Sequence, residues 1–131
     1  MSTATLNYVY LPQQDNFQIK SVIKSAFKKE EVITNPNLCL SLLAEMLDLS
    51  PKVVSHVINK EFNNGFNELL NKHRVQYAIE KIEEGYLDFY TLEALGEESG
   101  FNSRTTFFNA FKKETGNSPS EYWKKFQELP E

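Results

Sequence analysis

The chain has 131 residues, 40% of them hydrophobic and 24% charged, which is enough apolar material for the cores of one or two small subdomains. A formal charge of -4 excludes a uniformly basic nucleic-acid binder. A single cysteine, Cys39, excludes an internal disulfide, and between Leu38 and Leu40 it reads as a packed thiol in a reducing cytoplasm. No apolar run approaches a membrane span, and the N-terminus lacks the basic start and hydrophobic stretch of a signal peptide, so the sequence reads as soluble and cytoplasmic.

In chain order, residues 1–15 read as an irregular segment or linker, with Leu11-Pro12 breaking any local helix. From Asn16 to Glu31, the residues Ile19, Val22, Ile23 and Phe27 form one apolar stripe beside Lys20, Lys24, Lys28 and Lys29. This predicts an amphipathic helix with a solvated lysine face. Asn35-Pro36-Asn37 is a turn, and Leu40, Leu43, Ala44 and Leu47 then make the inner face of a second helix. Leu49-Ser50-Pro51 supplies a turn, a cap and a first helical proline. The helix from Pro51 to about Glu61 buries Val54, Val57 and Ile58 while presenting Lys52, Ser55, His56 and Asn59. Asn63-Asn64-Gly65 ends it with residues that tolerate positive φ.

A long helix from Phe66 to about Glu84 carries two adjoining apolar stripes, Phe66, Leu69, Leu70, Tyr77 and Val75, Ala78, Ile79, Ile82, as expected of an element that packs on two halves. After a loop from Gly85 to Tyr90, Thr91 to Ser99 repeats the short scaffold helix with Leu92 and Leu95 inward. Gly100-Phe101 turns the chain, Asn102 or Ser103 caps the next helix, and Phe107, Ala110 and Phe111 face inward. Arg104, Thr105, Phe108, Asn109 and Lys112 share the opposite face. Gly116 stops this helix, and Ser118-Pro119-Ser120-Glu121 is a capping box that starts another. The predicted fold is all-α, with about seven helices. It comprises two helix-turn-helix subdomains, residues 16–64 and 85–127, joined by a linker helix over residues 65–84.

Ser50 and Ser103 thus open two equivalent units, a duplication in pattern but not in residue identity. No Asp or Glu occurs from Ser50 to Lys60 or from Gly100 to Lys113, although the chain holds 18 acids, so the two groove-facing helices escape the overall negative charge. Their outward residues have DNA-reading chemistry: Arg104 suits guanine O6/N7, Asn109 adenine N6/N7, and Thr105 or Phe108 a thymine methyl. Phe108 equally fits a half-buried position against the linker helix.

The run Gly100-Phe101, Phe111-Lys112-Lys113, Gly116 and Ser118-Pro119-Ser120-Glu121-Tyr122 resembles the C-terminal signature of the AraC/XylS family of bacterial transcription regulators. The likeness extends upstream through Ser50 to Lys60 and Phe66 to Ala78, covering roughly Asn35 to Lys125. Ser55, Val57-Ile58-Asn59 and Gly116 to Tyr122 look most like a subgroup of Bacteroidetes-type sensory regulators. The resemblance implies double-stranded DNA as partner, with base contacts from Lys52, Ser55 and His56 in one helix, to which the outward-facing chemistry adds Asn59 there and Arg104, Thr105, Phe108 and Asn109 in the other. Phosphate contacts are expected from Ser50, Lys60, Ser103, Lys112 and Lys113. His56 stands where the family commonly has an arginine, and Trp123 where it often has one after the tyrosine. Trp123 is therefore expected to be packing surface, with the phosphate contact moved to Lys124 or Lys125. Arg74 matches a family arginine and is expected to form a structural ion pair. Two recognition helices would enter successive major grooves about 34 Å apart. Family members usually carry a sensor domain and act on RNA polymerase, and the first 15 residues are too short for such a domain.

Enzyme chemistry finds no support. His56 and His73 sit on separate predicted helices, and the chain has no His-x-x-x-His, Cys-x-x-Cys, glycine-rich phosphate loop or nucleophile elbow, so neither a metal nor a cofactor is implied. The alternative that the acidic balance suits is a protein-interaction module that keeps the helix-turn-helix scaffold and has lost DNA binding.

Overall fold

The computed structural model describes residues 12–130. Among these it contains eight α-helices, one 3-10 turn and no strand. The helices are α1 Pro12–Phe27, α2 Glu30–Ile33, α3 Leu40–Met46, α4 Pro51–Phe62 and α5 Phe66–Glu83. After the 3-10 turn Tyr86–Asp88 come α6 Leu92–Glu98, α7 Arg104–Thr115 and α8 Pro119–Gln127. The irregular segment expected over residues 1–15 falls largely outside the described residues, and where it does not, it is helical. Proline is accepted at the first position of a helix because its missing N–H would have no partner there, so Pro12 starts α1 rather than breaking it.

The helix expected to run to Glu31 also breaks. Lys28 and Lys29 donate backbone N–H groups to Ser25 and Ala26 carbonyls at 3.2 and 3.1 Å, a tightened last turn, before α2 resumes. The break adds one helix to the seven expected. It lets both Phe27 and Val32 be buried, and no glycine or proline marks it in the sequence.

The described chain divides into two compact units. One comprises the residues through Val32 with Asn37–Leu70, and the other Ile33–Pro36 with the chain from Asn71 onward. In the first unit α1 and α3 pack on α4 around Ile19, Ile23, Leu43, Val54, Val57 and Ile58, and the Phe27 and Phe66 rings meet at 6.3 Å. In the second, Val75, Ala78 and Ile82 of α5 meet Leu95, Phe101, Phe107 and Phe111. A Cβ on Gly96 would lie 2.8 Å from the Phe107 ring, so α6 meets α7 at a position that carries no side chain.

Each unit makes its helix-turn-helix corner with the same device. At the end of α3, Asp48 takes a left-handed φ of 61°, its N–H reaches Glu45 O, and Leu49 N–H reaches Ala44 O at 2.9 Å. At the end of α6, Gly100 at φ 100° donates to Glu97 O, and Phe101 N–H reaches Gly96 O at 3.0 Å. Both are Schellman closures that satisfy otherwise orphaned carbonyls. The second corner is longer by Asn102, so Ser103 is the cap, as one of the two sequence alternatives had it.

Two expectations about single side chains are corrected. Cys39 is exposed, not packed: it is the extended N-cap residue of α3, and Leu38 is the neighbour that turns inward. Arg74 is buried and structural, but its hydrogen bonds go to carbonyls and not to a carboxylate. Nε donates to Ile33 O and the guanidinium NH2 to Asn35 O, at 2.6 and 2.7 Å. Burial lowers its pKa to about 10. Together with Asn102, which donates to Pro36 O at 2.9 Å, Arg74 ties the Ile33–Pro36 segment into the second unit.

Candidate nucleic-acid interface

The exposed face of α4 follows from its ends and its buried side. Ser50 accepts the Val53 N–H at 3.2 Å, Pro51 occupies the first helical position, and Asn63 closes the helix at a left-handed φ of 55°. With Val54, Val57 and Ile58 buried, Lys52, His56, Asn59 and Lys60 are exposed and Ser55 is half-buried, all on the side away from the core. The Asn59 amide folds back to donate to Ser55 O at 2.9 Å and to Ser55 Oγ at 3.5 Å, which leaves its oxygen for another partner. Ser50 spends an oxygen lone pair on its cap and keeps the hydroxyl proton.

On α7, Phe107, Ala110 and Phe111 are buried as the spacing requires, and Arg104, Thr105, Asn109, Lys112 and Lys113 are exposed. Ser103 accepts the Thr106 N–H at 3.1 Å and donates its own proton to Thr106 Oγ1 at 2.9 Å, so less of it remains for a phosphate than of Ser50. Phe108 is half-buried, its ring 5.7 Å from that of Phe107. Neither α4 nor α7 has an acid in its first turn, and each has lysine in its last, so the amino ends keep their partial positive charge. The α4 and α7 sets belong to different units, each complete on its own helix.

Beyond α7, the capping box forms as predicted: Ser118 N–H donates to Glu121 Oε1 at 2.8 Å and Glu121 N–H to Ser118 Oγ at 3.2 Å. The Ser118 hydrogen bonds hold the Glu121 carboxyl below its ordinary pKa. Trp123 packs against the second core, while Lys124 and Lys125 are exposed and Lys125 reaches Asn117 Oδ1 at 2.9 Å.

One member of this surface was not visible in the sequence. Glu93, on the first turn of α6, places Oε2 2.9 Å from an NH1 of Arg104, whose guanidinium also lies over the Phe108 ring at 4.9 Å. Glu93 precedes the acid-free window, and only the crossing of α6 and α7 brings it to the exposed face of α7.

A family model for a helix-turn-helix domain matches residues 43–125, from within α3 to α8. The chain belongs to the AraC-type helix-turn-helix family. Among its relatives, an uncharacterized helix-turn-helix-type transcriptional regulator, YijO of Escherichia coli K12, is 34% identical over 84 residues, covering 64% of this chain and 29% of the relative. An uncharacterized transcriptional regulatory protein, YesN of Bacillus subtilis 168, is 29% identical over 93 residues, covering 70% and 25%. The C-terminal domain of AraT, a response regulator from Geobacillus stearothermophilus, superposes with a TM-score of 0.68 at 27% identity, over 82% of this chain and 84% of that one. This AraC-type chain spans about a quarter to a third of the length of the curated relatives it matches. None of its described helices is long and apolar enough to cross a membrane.

Proposed function

We propose that this chain is the DNA-reading part of a transcription regulator, binding double-stranded DNA sequence-specifically through α4 and α7. The observation that carries this is the duplicated corner. Twice the chain makes a Schellman closure, a serine cap and a helix that bears exposed polar and basic groups and keeps its one acid, Glu61 or Glu114, near its carboxyl end. A local surface of that kind meets phosphate favourably even on a chain of charge -4, because exposed charges farther off than about 10 Å are screened at ordinary salt.

In this scheme Lys52, Ser55, His56 and Asn59 contact base edges in one major groove. Arg104, Thr105, Phe108 and Asn109 do so in the next, about 34 Å along the duplex. Ser50, Lys60, Ser103, Lys112 and Lys113 hold phosphates and set the register. Arg104 is the reader of guanine and Asn109 of adenine. Because both readers lie in one chain, an asymmetric site suffices. A covalently linked sensor domain, with RNA polymerase as the downstream partner, completes the regulator in the cytoplasm.

The test is selection of bound sequences from a random duplex pool, followed by footprinting. A selected site with protection across two adjacent major grooves, and affinity that falls steeply as salt rises, is the expected result. A flat salt response, or no binding at about 50 mM salt and micromolar protein, would replace DNA reading by a protein-interaction role.

A further inference from the structure

We propose that Glu93 is a positioning residue for base reading: its carboxylate, with the Phe108 ring, holds the Arg104 guanidinium in one orientation and makes its recognition of a base selective. This rests on the DNA-reading function proposed above and names a residue outside the recognition helix that governs it. Arg104 is the first residue of α7 and extends from an exposed position. Left alone, so long a side chain samples many rotamers, and ordering it on binding costs affinity. Here two groups from different places have already ordered it: Glu93 Oε2 from α6 at 2.9 Å and the Phe108 face one turn along α7 at 4.9 Å.

The guanidinium has five N–H donors in a rigid fork, and this single contact is made by NH1. Donors enough for a bidentate contact to guanine O6 and N7 therefore remain while the carboxylate stays in place. The pair is exposed, both side chains being more than half accessible, so it adds little to folding, and its effect falls on the bound complex. The carboxylate has a second consequence. It is a negative charge at the amino end of α7, where neither α4 nor α7 has an acid of its own, their glutamates Glu61 and Glu114 lying near the carboxyl ends. Where the duplex offers no guanine to Arg104, that charge is left unpaid against the phosphates, so non-cognate binding is weakened more than cognate binding.

The experiment uses the intact chain and a duplex selected by it from a random pool, with single-base variants of that duplex and an unrelated duplex. Glu93→Gln, Glu93→Asp, Arg104→Ala and the Glu93→Gln/Arg104→Ala double variant are compared with the parent. Glu93→Gln is expected to relax base preference by roughly two- to fivefold, the range an exposed ion pair commands, at the same base pair that Arg104→Ala relaxes. It should also raise affinity for the unrelated duplex. Glu93→Asp, shorter by one methylene, should lose preference like Gln yet keep the parent's affinity for unrelated DNA, which separates reach from charge. The double variant should be no less selective than Arg104→Ala alone, since both act through one contact. Melting temperatures should be unchanged in both Glu93 variants, so a mere packing role would not produce these shifts.

Unaltered base preference in Glu93→Gln, or a change at a different base pair, overturns the proposal. A sharper preference would show that Glu93 masks Arg104 instead of positioning it, and overturns it equally. If the parent chain selects no sequence at all, it is DNA reading itself that fails.

Discussion

Gly100→Ala isolates what the second corner requires. Gly100 sits at φ 100°, and a Cβ there would lie 2.8 Å from both Arg74 Nε and Ile33 O and 2.9 Å from Thr34 Cα. The left-handed conformation alone costs a non-glycine residue about 1 to 2 kcal/mol. The clash adds a larger cost, because two of the three close atoms are backbone and the third belongs to a guanidinium buried by its bonds to Ile33 O and Asn35 O. Relieving it means parting Arg74 from Ile33, and a hydrogen bond to a charged group contributes about 1.5 to 3 kcal/mol. The sum is about 3 to 5 kcal/mol, a large share of the 5 to 15 kcal/mol that stabilises a typical domain (about 0.1 kcal/mol per residue). Gly116→Ala is the control, since φ is 80° there but nothing lies within 4 Å of the added Cβ, so only the conformational cost remains. Thermal unfolding should place Gly100→Ala at least about 10 °C below the parent and well below Gly116→Ala. Equal melting temperatures for the two variants would refute the close approach of Gly100 to Arg74 and Ile33.

Other expectations can be checked on the same material. Arg104→Ala should cost about 1 to 3 kcal/mol on the selected site and relax preference at one or two positions, which binding to single-base variants will show. Lys112→Ala should weaken binding to all sequences alike and lower the salt slope by about one unit, read from affinity measured against salt concentration. Phe111→Ala, which empties a fully buried position against Phe107 and Tyr122, should destabilise the second unit by about 3 to 5 kcal/mol in urea unfolding. His73 has its pKa lowered from 6.5 by burial and, secondarily, by Lys72, so the unfolded chain takes up the proton more readily than the folded one. Its contribution to stability is present above 6.5 and is lost as pH falls through that value toward the lowered folded one. His73→Gln should flatten the melting temperature over that window.

Much of the fold could be read from short stretches of sequence. Ser50 and Ser118 cap the helices they were expected to cap, Ser103 caps α7 as one of the two candidates, Asn63 and Gly116 end theirs in the left-handed region, and Phe107, Ala110 and Phe111 turn inward. Each of these depends on groups within about four residues, where helical spacing and cap geometry decide the outcome. The residues of the two proposed reading faces were legible for the same reason: a helix has one buried side, and what remains is outside.

Contacts between residues far apart in the chain were not legible. The sequence by itself determined the all-α class, the repeated corner pattern and the two polar helix faces. Only tertiary structure decided that Ile33–Pro36 joins the second unit, because the Arg74–Ile33 bond links residues 41 apart and no local pattern encodes its partner. The exposure of Cys39 and the break at Lys28-Lys29 also depend on where neighbouring apolar groups find a core. Glu93 is the clearest case, since its sequence position says only that it is a polar residue on a short helix. The packing of α6 on α7 at Gly96, where no side chain intervenes, accompanies the approach of that carboxylate to Arg104. Local free energies write the helices and their ends, whereas the meeting of two helices is a property of the packed core.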